Sequence, residues 1–392
     1  MLQVVVIGAG QAGLSAGYHL RRRGLKPGRD FIILDSNDGP GGAWRHRWPA
    51  LTFDAAHGIH DLPGMPLGEP DSATPASEIV TEYYGNYERR FDLPVHRPVI
   101  VEQVSSDSGP DGPLTLRTDS GIWQTRLIIN ATGTWTRPYW PHYPGRNLFR
   151  GRQLHTHDFR SAEEFRGQNV VVVGGGTSAV QFLLQLNAAG ANTIWSTRRP
   201  PEFRNLAGDS NWGRDIERRV AERTAAGLPP LSVVAATGLP LTPDYRQGIA
   251  AGILVSRGKI SDIEAAGVRF ADGTLVRADS ILWATGFRAA LDHLAPLRLR
   301  EPGGGIITDG VEVGRDHRVL MVGYGASAST IGATRAGRAA ALKATKAIEQ
   351  LSSAGPRAPA ADSPDQEPPT WRRRSHPAAQ SVPESADQRR IS

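Results

Sequence analysis

Val4-Val5-Val6-Ile7 is an unbroken apolar run that ends in Gly8-Ala9-Gly10-Gln11-Ala12-Gly13. A short run rich in β-branched residues and closed by glycine predicts a strand buried on both faces, as in a parallel sheet. Small and apolar residues from Leu14 to Leu20 predict a helix, and Phe31-Ile32-Ile33-Leu34 predicts a second buried strand. The plan recurs later: Asn169-Val170-Val171-Val172-Val173 runs into Gly174-Gly175-Gly176-Thr177-Ser178-Ala179, and a strand over 192–196 follows.

Elsewhere the pattern is less even. Ile79, Val80, Tyr83, Tyr84 and Tyr87 share one side of a helix predicted over 77–91, with Ser77 as its N-cap. Stretches 99–104, 114–118 and 122–129 read as strands of a β-meander around a Gly/Pro/Asp turn at 107–113. Segment 45–76 is irregular. Asp215 to Ala225 reads as a charged amphipathic helix, while Pro229-Pro230, Pro240 and Pro243 are expected to break the rest of 200–257. Val268-Arg269-Phe270 and Ser280-Ile281-Leu282-Trp283 return to strand. Val319-Leu320-Met321-Val322 predicts a last strand, turned by Gly323 into a helix from about Thr330 to Gln350. From 352 to 392 the chain is rich in Pro, Ser, Ala and Gln, which cannot build a core, so a disordered tail is expected. Trp371-Arg372-Arg373-Arg374 is read as part of that passive tail, with docking to an anionic surface as the other reading.

Each glycine of the first turn has a physical task. Gly8 permits a tight turn, Gly10 lets a pyrophosphate approach the backbone, and Gly13 lets helix and strand pack closely. The helix N-terminus offers N–H groups to phosphate. Asp35, after the second strand, suits a ribose 2′-hydroxyl. In the second turn Ala179 replaces the last glycine, which the pattern tolerates. Its following strand ends in Thr197-Arg198-Arg199 rather than an acid. Arginines there accommodate a 2′-phosphate, which favours NADP over NAD; a solvated pair is the plainer reading. Two dinucleotide units in one chain suit a bound flavin and the pyridine nucleotide that reduces it.

Composition narrows this. The 392-residue chain has room for two or three domains. Without cysteine it has no disulfide, no Cys-based zinc site and no redox dithiol. The charge of +6 comes with only four lysines, Lys26, Lys259, Lys343 and Lys346, and no basic-aromatic stripe, so no nucleic-acid partner is expected. His46, His57 and His60 do not follow a ligand spacing, so no metal is expected. No apolar run reaches the eighteen or so residues of a membrane span. The first strand begins at about residue 4, leaving no room for a signal peptide, so a cytoplasmic protein is expected.

Over about residues 1–350 the chain resembles the flavin-containing monooxygenase superfamily, the class B flavoprotein monooxygenases, including YUCCA-like members. The resemblance rests on both fingerprints, on Gly41-Gly42-Ala43-Trp44, and on Ala-Thr-Gly at 131–133 and 284–286. It rests also on a Phe-x-Gly-x-x-x-His-x-x-x-(Phe/Tyr/Trp) signature matched by Phe149, Gly151, His155 and Phe159. It implies an α/β fold of two Rossmann-like domains with an attached β-meander. The FAD domain would be discontinuous, 1–145 and 286–351, with an NADP domain inserted over 146–285 and the tail over 352–392. It implies FAD at Gly8, Gly10, Gln11, Ala12, Gly13 and Asp35, at Gly42, Ala43 and Trp44, and at Val101, Thr132 and Gly323. It implies NADP at Gly174, Gly176, Thr177, Ser178, Ala179, Arg198, Arg199 and Thr285.

The implied reaction is flavin reduction by NADPH, then O₂ capture as a C4a-peroxide, then transfer of one oxygen to a small organic substrate. Retained NADP⁺ and a dry pocket protect the oxygenating species. No acid/base pair is assigned; His155 is read as fixing the domain junction, and Phe159 is the other signature residue considered for the site. The chain departs from the family in having no asparagine between Trp44 and Pro66 and in reading Thr-Ser-Ala at the NADP turn. Phe159 stands where Baeyer–Villiger members carry Trp, which favours oxygenation of nitrogen or sulfur. The alternatives are a Baeyer–Villiger monooxygenase, a non-oxygenating NADPH:flavin reductase or electron-transfer partner, and a nucleotide sensor. The substrate and the oligomeric state are not specified.

Overall fold

A computed structural model describes residues 1–56, 59–107, 109, 111–205, 212–230, 238–328 and 330–353. The first part of the chain gives β1 (Leu2–Ile7), α1 (Gln11–Arg22), β2 (Phe31–Leu34), α2 (Ala76–Arg90) and β3 (Val95–His96). A meander follows, β4 (Val101–Ser105), β5 (Leu114–Thr118) and β6 (Gly121–Asn130). The middle gives β7 (Arg152–His155), β8 (Asn169–Val173), α3 (Thr177–Ala188), β9 (Asn192–Ser196) and β10 (Phe203–Arg204). It continues with α4 (Trp212–Ala225), β11 (Leu239–Pro240) and α5 (Pro243–Ala250). Then come β12 (Ile260–Glu264), β13 (Gly267–Phe270), β14 (Leu275–Arg277) and β15 (Ser280–Trp283). The last part gives β16 (Thr308–Asp309), β17 (Glu312–Val313), β18 (Val319–Met321) and α6 (Thr330–Ser353).

Two parallel sheets organise the fold. The larger runs β16-β17-β18-β6-β1-β2-β3, with β5 and β4 continuing from β6. Within it β18, β6, β1, β2 and β3 are parallel. The smaller is four-stranded and parallel, β7-β15-β8-β9. Alternation along the apolar runs assigns their two faces. Val4 and Val6 pack with α1, α2 and α6, whereas Val5 and Ile7 pack with the meander and the segment around Leu291–Leu299. Val170 and Val172 pack with α3, whereas Val171 and Val173 meet β12 and β13. Each sheet is thus covered by helix on one face and by antiparallel strands on the other. Burying each of these side chains contributes about 1.5–3 kcal/mol, which is why both runs are continuously apolar.

Three expectations change. Ser77 does not cap α2: the helix starts at Ala76, whose N–H donates to Leu51 O (2.9 Å), with extended Pro75 before it. Pro243 opens α5 rather than breaking structure; it is the first helical residue, and Thr242 Oγ1 accepts from the Tyr245 N–H (3.3 Å). Strands β3, β7, β10, β11 (which holds Pro240), β12, β16 and β17 are not expected from the sequence; β7 pairs with β15 and β12 with β13. Helix α6 runs to Ser353, two residues into the stretch assigned to the tail; residues 354–392, His57 and Trp371–Arg374 lie outside the described residues. No helix among the described residues is long and apolar enough to cross a membrane.

Candidate functional site

The two glycine turns occupy equivalent places. Gly8 follows β1 with φ +105°, and a Cβ there would lie 2.5 Å from Ala131 O. Gly174 follows β8 with φ +143°, and a Cβ there would lie 2.1 Å from Ala284 O. Positive φ and contact with a neighbouring carbonyl both require glycine. Each turn is thus packed on its own Ala-Thr-Gly motif. Gly10 and Gly176 are the N-caps of α1 and α3, and a Cβ on either would meet no protein atom within 4 Å. No side chain caps either helix and no acid sits in either first turn. The two helix N-termini therefore face open space with their positive ends uncompensated, a fit for dinucleotide phosphates. Gln11 and Ala12 lie in the first turn of α1, and Thr177 and Ser178 in that of α3. Gly42 abuts Gly10, Cβ position to Cα 2.8 Å, which brings Gly42-Ala43-Trp44 against the first turn.

The ends of the following strands differ. Asp35 is buried (3 % exposed), accepts from Asn37 N and Nδ2 (3.0 Å each), and pairs with Arg97 (3.3 Å). Arg97 is shared with Glu88 (2.7 Å). Val99 N donates to Asp35 O (2.8 Å), and Val101 follows two residues on, packed in the meander core. Arg198 and Arg199 are exposed, and no carboxylate pairs with either among the described residues. Sequence reasoning found Asp35 but not its partner Arg97, for which no spacing rule exists.

The segments after the two Ala-Thr-Gly motifs run side by side. Tyr139 N donates to Gly286 O (2.9 Å), Arg288 N to Arg137 O (2.9 Å) and Ala290 N to Gly133 O (3.0 Å). Thr132 Oγ1 donates to Ala290 O (2.7 Å) and Thr285 Oγ1 to Tyr139 O. Both threonines thus spend their hydroxyl hydrogens on this crossing. Gly323 follows β18 with φ +71° and open space around its Cβ position.

His155 closes the same crossing. Its Nδ1 accepts from His157 N (3.1 Å), so the proton sits on Nε2, which donates to Gly286 O (3.0 Å). The ring is fully buried, and burial drives its pKa down to about 4, ahead of opposing effects from Gly286 O and Asp158. Both nitrogens are spoken for, which suits a tie between segments better than a proton shuttle. Phe149 and Phe159 are core side chains; Phe159 packs on Phe182 (4.4 Å), Phe165 (5.9 Å) and Trp48 (5.9 Å). A Cβ at Gly151 would strike the Phe149 ring (2.6 Å) and Asp279 O (2.4 Å). The signature residues thus hold structure together.

A cluster that no motif announced fills the space between the sheets. Trp135 stacks with His46 (6.0 Å, 11°) and Phe287 (5.0 Å, 25°), and also meets His157 (5.0 Å). The Arg47 guanidinium lies 4.6 Å over Trp135 and 5.6 Å over Trp44. His46 Nε2 bonds Asn37 Oδ1 (2.7 Å), which joins the cluster to the Asp35 loop. Burial and then Arg45 hold His46 below the usual histidine range. Segment 45–56 also reaches the second sheet, where Trp48 packs on Phe182 (4.8 Å) and Gln181 Nε2 donates to Ala55 O (3.2 Å).

A family model, the pyridine nucleotide-disulphide oxidoreductases, matches residues 5–226. The structure is similar to a flavin-containing monooxygenase from Stenotrophomonas maltophilia, 35% identical, covering 88% of this chain and 99% of that one, TM-score 0.73. The chain belongs to the flavin-containing monooxygenase family. It is also 28% identical to the indole-3-pyruvate monooxygenase YUCCA1 of Oryza sativa subsp. japonica, over 73% of this chain and 76% of that protein. It is 25% identical to the uncharacterized oxidoreductase CzcO of Bacillus velezensis, over 74% of this chain and 83% of that protein. The protein is a flavin-monooxygenase-like oxidoreductase, and its family implies flavin, a pyridine nucleotide, O₂ and a substrate. Its α/β fold with parallel Rossmann-like sheets matches the family's structures. The dithiol chemistry in the family model's description is closed to a chain with no cysteine.

Proposed function

We propose that this protein is an FAD- and NADPH-dependent monooxygenase acting on nitrogen or sulfur of a small organic molecule. One atom of O₂ enters the product; the other leaves as water, reduced by the hydride of NADPH and one proton from solvent, with NADP⁺ released. The supporting observation is the pair of uncapped helix N-termini beside open glycines, one followed by buried Asp35 and the other by exposed Arg198 and Arg199. The first would hold FAD through Gly8 to Gly13, Asp35 and Gly42 to Trp44, with Val101, Thr132 and Gly323 bordering it. The second would hold NADPH through Gly174 to Ala179, with both arginines on the 2′-phosphate and Thr285 alongside. Residues 1–145 and 286–351 then form one unit and 146–285 the other. Bound flavin supplies the redox and oxygen-activating chemistry. The chain binds and orients both cofactors, and the packed indoles and Phe287 exclude water between them.

The test is turnover of the FAD-loaded protein with NADPH and ¹⁸O₂ over a panel of amines, sulfides and ketones. Labelled N- or S-oxide is the expected product. Labelled ester from a ketone reassigns the enzyme to Baeyer–Villiger oxygenation. Dye reduction without labelled product makes it a reductase.

A further inference from the structure

Among the described residues Arg47 is a cation without an acid. Its backbone N–H donates to Trp44 O (3.0 Å), which fixes it at the end of a short turn. Its guanidinium is held between the Trp44 and Trp135 rings. Nε is sealed from solvent and has no hydrogen-bond partner. No carboxylate pairs with it among the described residues, and burial alone pulls its pKa down to about 10. The neighbouring cation Arg45, by contrast, pairs with Asp38 and donates to Pro40 O (2.8 Å). On the ring beneath Arg47, Trp135 Nε1 is a second sealed donor without an acceptor.

Two buried N–H donors on touching side chains, one of them charged, are costly to leave unmet. The aromatic faces offset part of that cost, because a cation over an indole is attracted to its ring. They do not replace an acceptor. The anions of the two cofactors already have places on the proposed reading, at the two helix N-termini and at Arg198 and Arg199. The pair borders the first of these at Trp44, and neither cofactor's anion is assigned to it.

Resting on that reading, we infer that Arg47 and Trp135 Nε1 form a carboxylate-binding pair, and that the substrate is a carboxylate-bearing molecule. A carboxylate accepts from the guanidinium and the indole at once through its two oxygens. The surrounding rings of Trp44, Trp135, His46 and Phe287 then favour a flat or apolar body next to the acid.

The experiment compares 4-(methylthio)benzoate with its neutral isostere 4-(methylthio)benzamide on the FAD-loaded protein with NADP⁺, by titration calorimetry. The acid is expected to bind at least about tenfold more tightly, the yield of one charge-assisted contact. Arg47→Met should bring the two within about twofold while the KM for NADPH stays within about threefold. Arg47→Lys, which keeps the charge but loses the fork, should retain part of the preference. If Arg47→Met does not hold flavin, Trp135→Phe keeps a ring and deletes the N–H, and should weaken the acid about three- to tenfold, more than it weakens the amide. Equal binding of acid and amide to the unaltered protein overturns the proposal. So does a rise in the NADPH KM with acid binding intact in Arg47→Met, or undiminished acid binding in Trp135→Phe. The probe also carries an oxidisable sulfur. Tight binding of the acid without labelled sulfoxide sinks the monooxygenase reading and leaves the carboxylate pair standing.

Discussion

At Gly13 a Cβ would lie 1.9 Å from Gly8 O, deep inside any contact distance. At the equivalent place in the second turn, Ala179 carries a real Cβ and is fully buried. Both turns begin with a glycine pressed on an alanine carbonyl and continue with an open N-cap glycine. The first brings helix and strand as close as backbone allows; the second leaves room for a methyl group. The first also ends its next strand in a buried carboxylate, the second in exposed guanidinium groups. A tight cradle with an internal acid suits a nucleotide that stays, and a looser one with surface cations suits a nucleotide that comes and goes.

The largest effect is expected from Gly13→Ala. The added methyl must push α1 from β1, at the upper end of the ~1–3 kcal/mol cost of overpacking or above it. The purified variant should retain little flavin and melt well below the parent; an unchanged flavin ratio would break the comparison. Next comes acidification at the link between the units. His155 binds its proton in the unfolded chain near pH 6.5 but in the folded protein only near pH 4. The unfolded state therefore holds more protons between these values, and stability falls as pH drops through that window, by roughly 3 kcal/mol at full protonation. His293, buried with Nε2 on Asn130 Oδ1 (2.7 Å), is also lowered to about 4 and adds the same sign. With His19 also lowered to about 4 by burial and its arginine neighbours, His155→Gln should remove about a third of that slope in chemical denaturation measured from pH 7 to 4.5. A slope equal to the parent's would show that the histidine tie is not what acid breaks.

Replacing Arg198 and Arg199 together by Ala should raise the KM for NADPH far more than for NADH, at about 1.5–3 kcal/mol per lost charged contact. Equal effects on the two nucleotides would leave the arginines as solvated surface. Gly10→Ala and Gly176→Ala separate binding from folding, because neither methyl meets protein. Melting of the cofactor-free variants should stay within about 0.5 kcal/mol of the parent. Flavin affinity should fall in the first variant only, and NADPH affinity in the second only. The smallest effect on binding is expected from Ala179→Gly, which keeps nucleotide affinity at a stability cost of about 0.5–1 kcal/mol in helix propensity.

What the sequence disclosed was local. Val4–Gly13 and Val170–Ala179 carry strand, turn and helix in about ten residues each, so periodicity and glycine spacing suffice. The crossing of 132–139 with 285–290, the aromatic cluster and the Arg97 partner of Asp35 are contacts between distant segments that share no period. Trp135, Arg47 and Phe287 sit in stretches that read as ordinary loop, and only the sheets' placement gives them a common neighbourhood. Ser77 is not a cap because Glu78 and Ile79 N–H donate to Pro75 O (3.0 and 3.3 Å), which puts Ser77 inside the helix, while Leu51 O from a distant segment takes the Ala76 N–H.

Helix α6 lies across α1, with Gly337 against the Ala12 carbonyl and Gln11 and Ser15 bonded to Thr334, more than three hundred positions along the chain. The small sheet, by contrast, draws all its strands from 152–283. During synthesis the small sheet has its full complement of strands while the first glycine turn still lacks both β18 and the helix that braces α1. Closing so long a loop is slow and comes late. On the proposed reading, flavin capture at Gly10 is therefore a property of the finished polypeptide, and a nascent chain stalled before Val319 would hold a complete small sheet beside a first glycine turn that still lacks its bracing strand and helix.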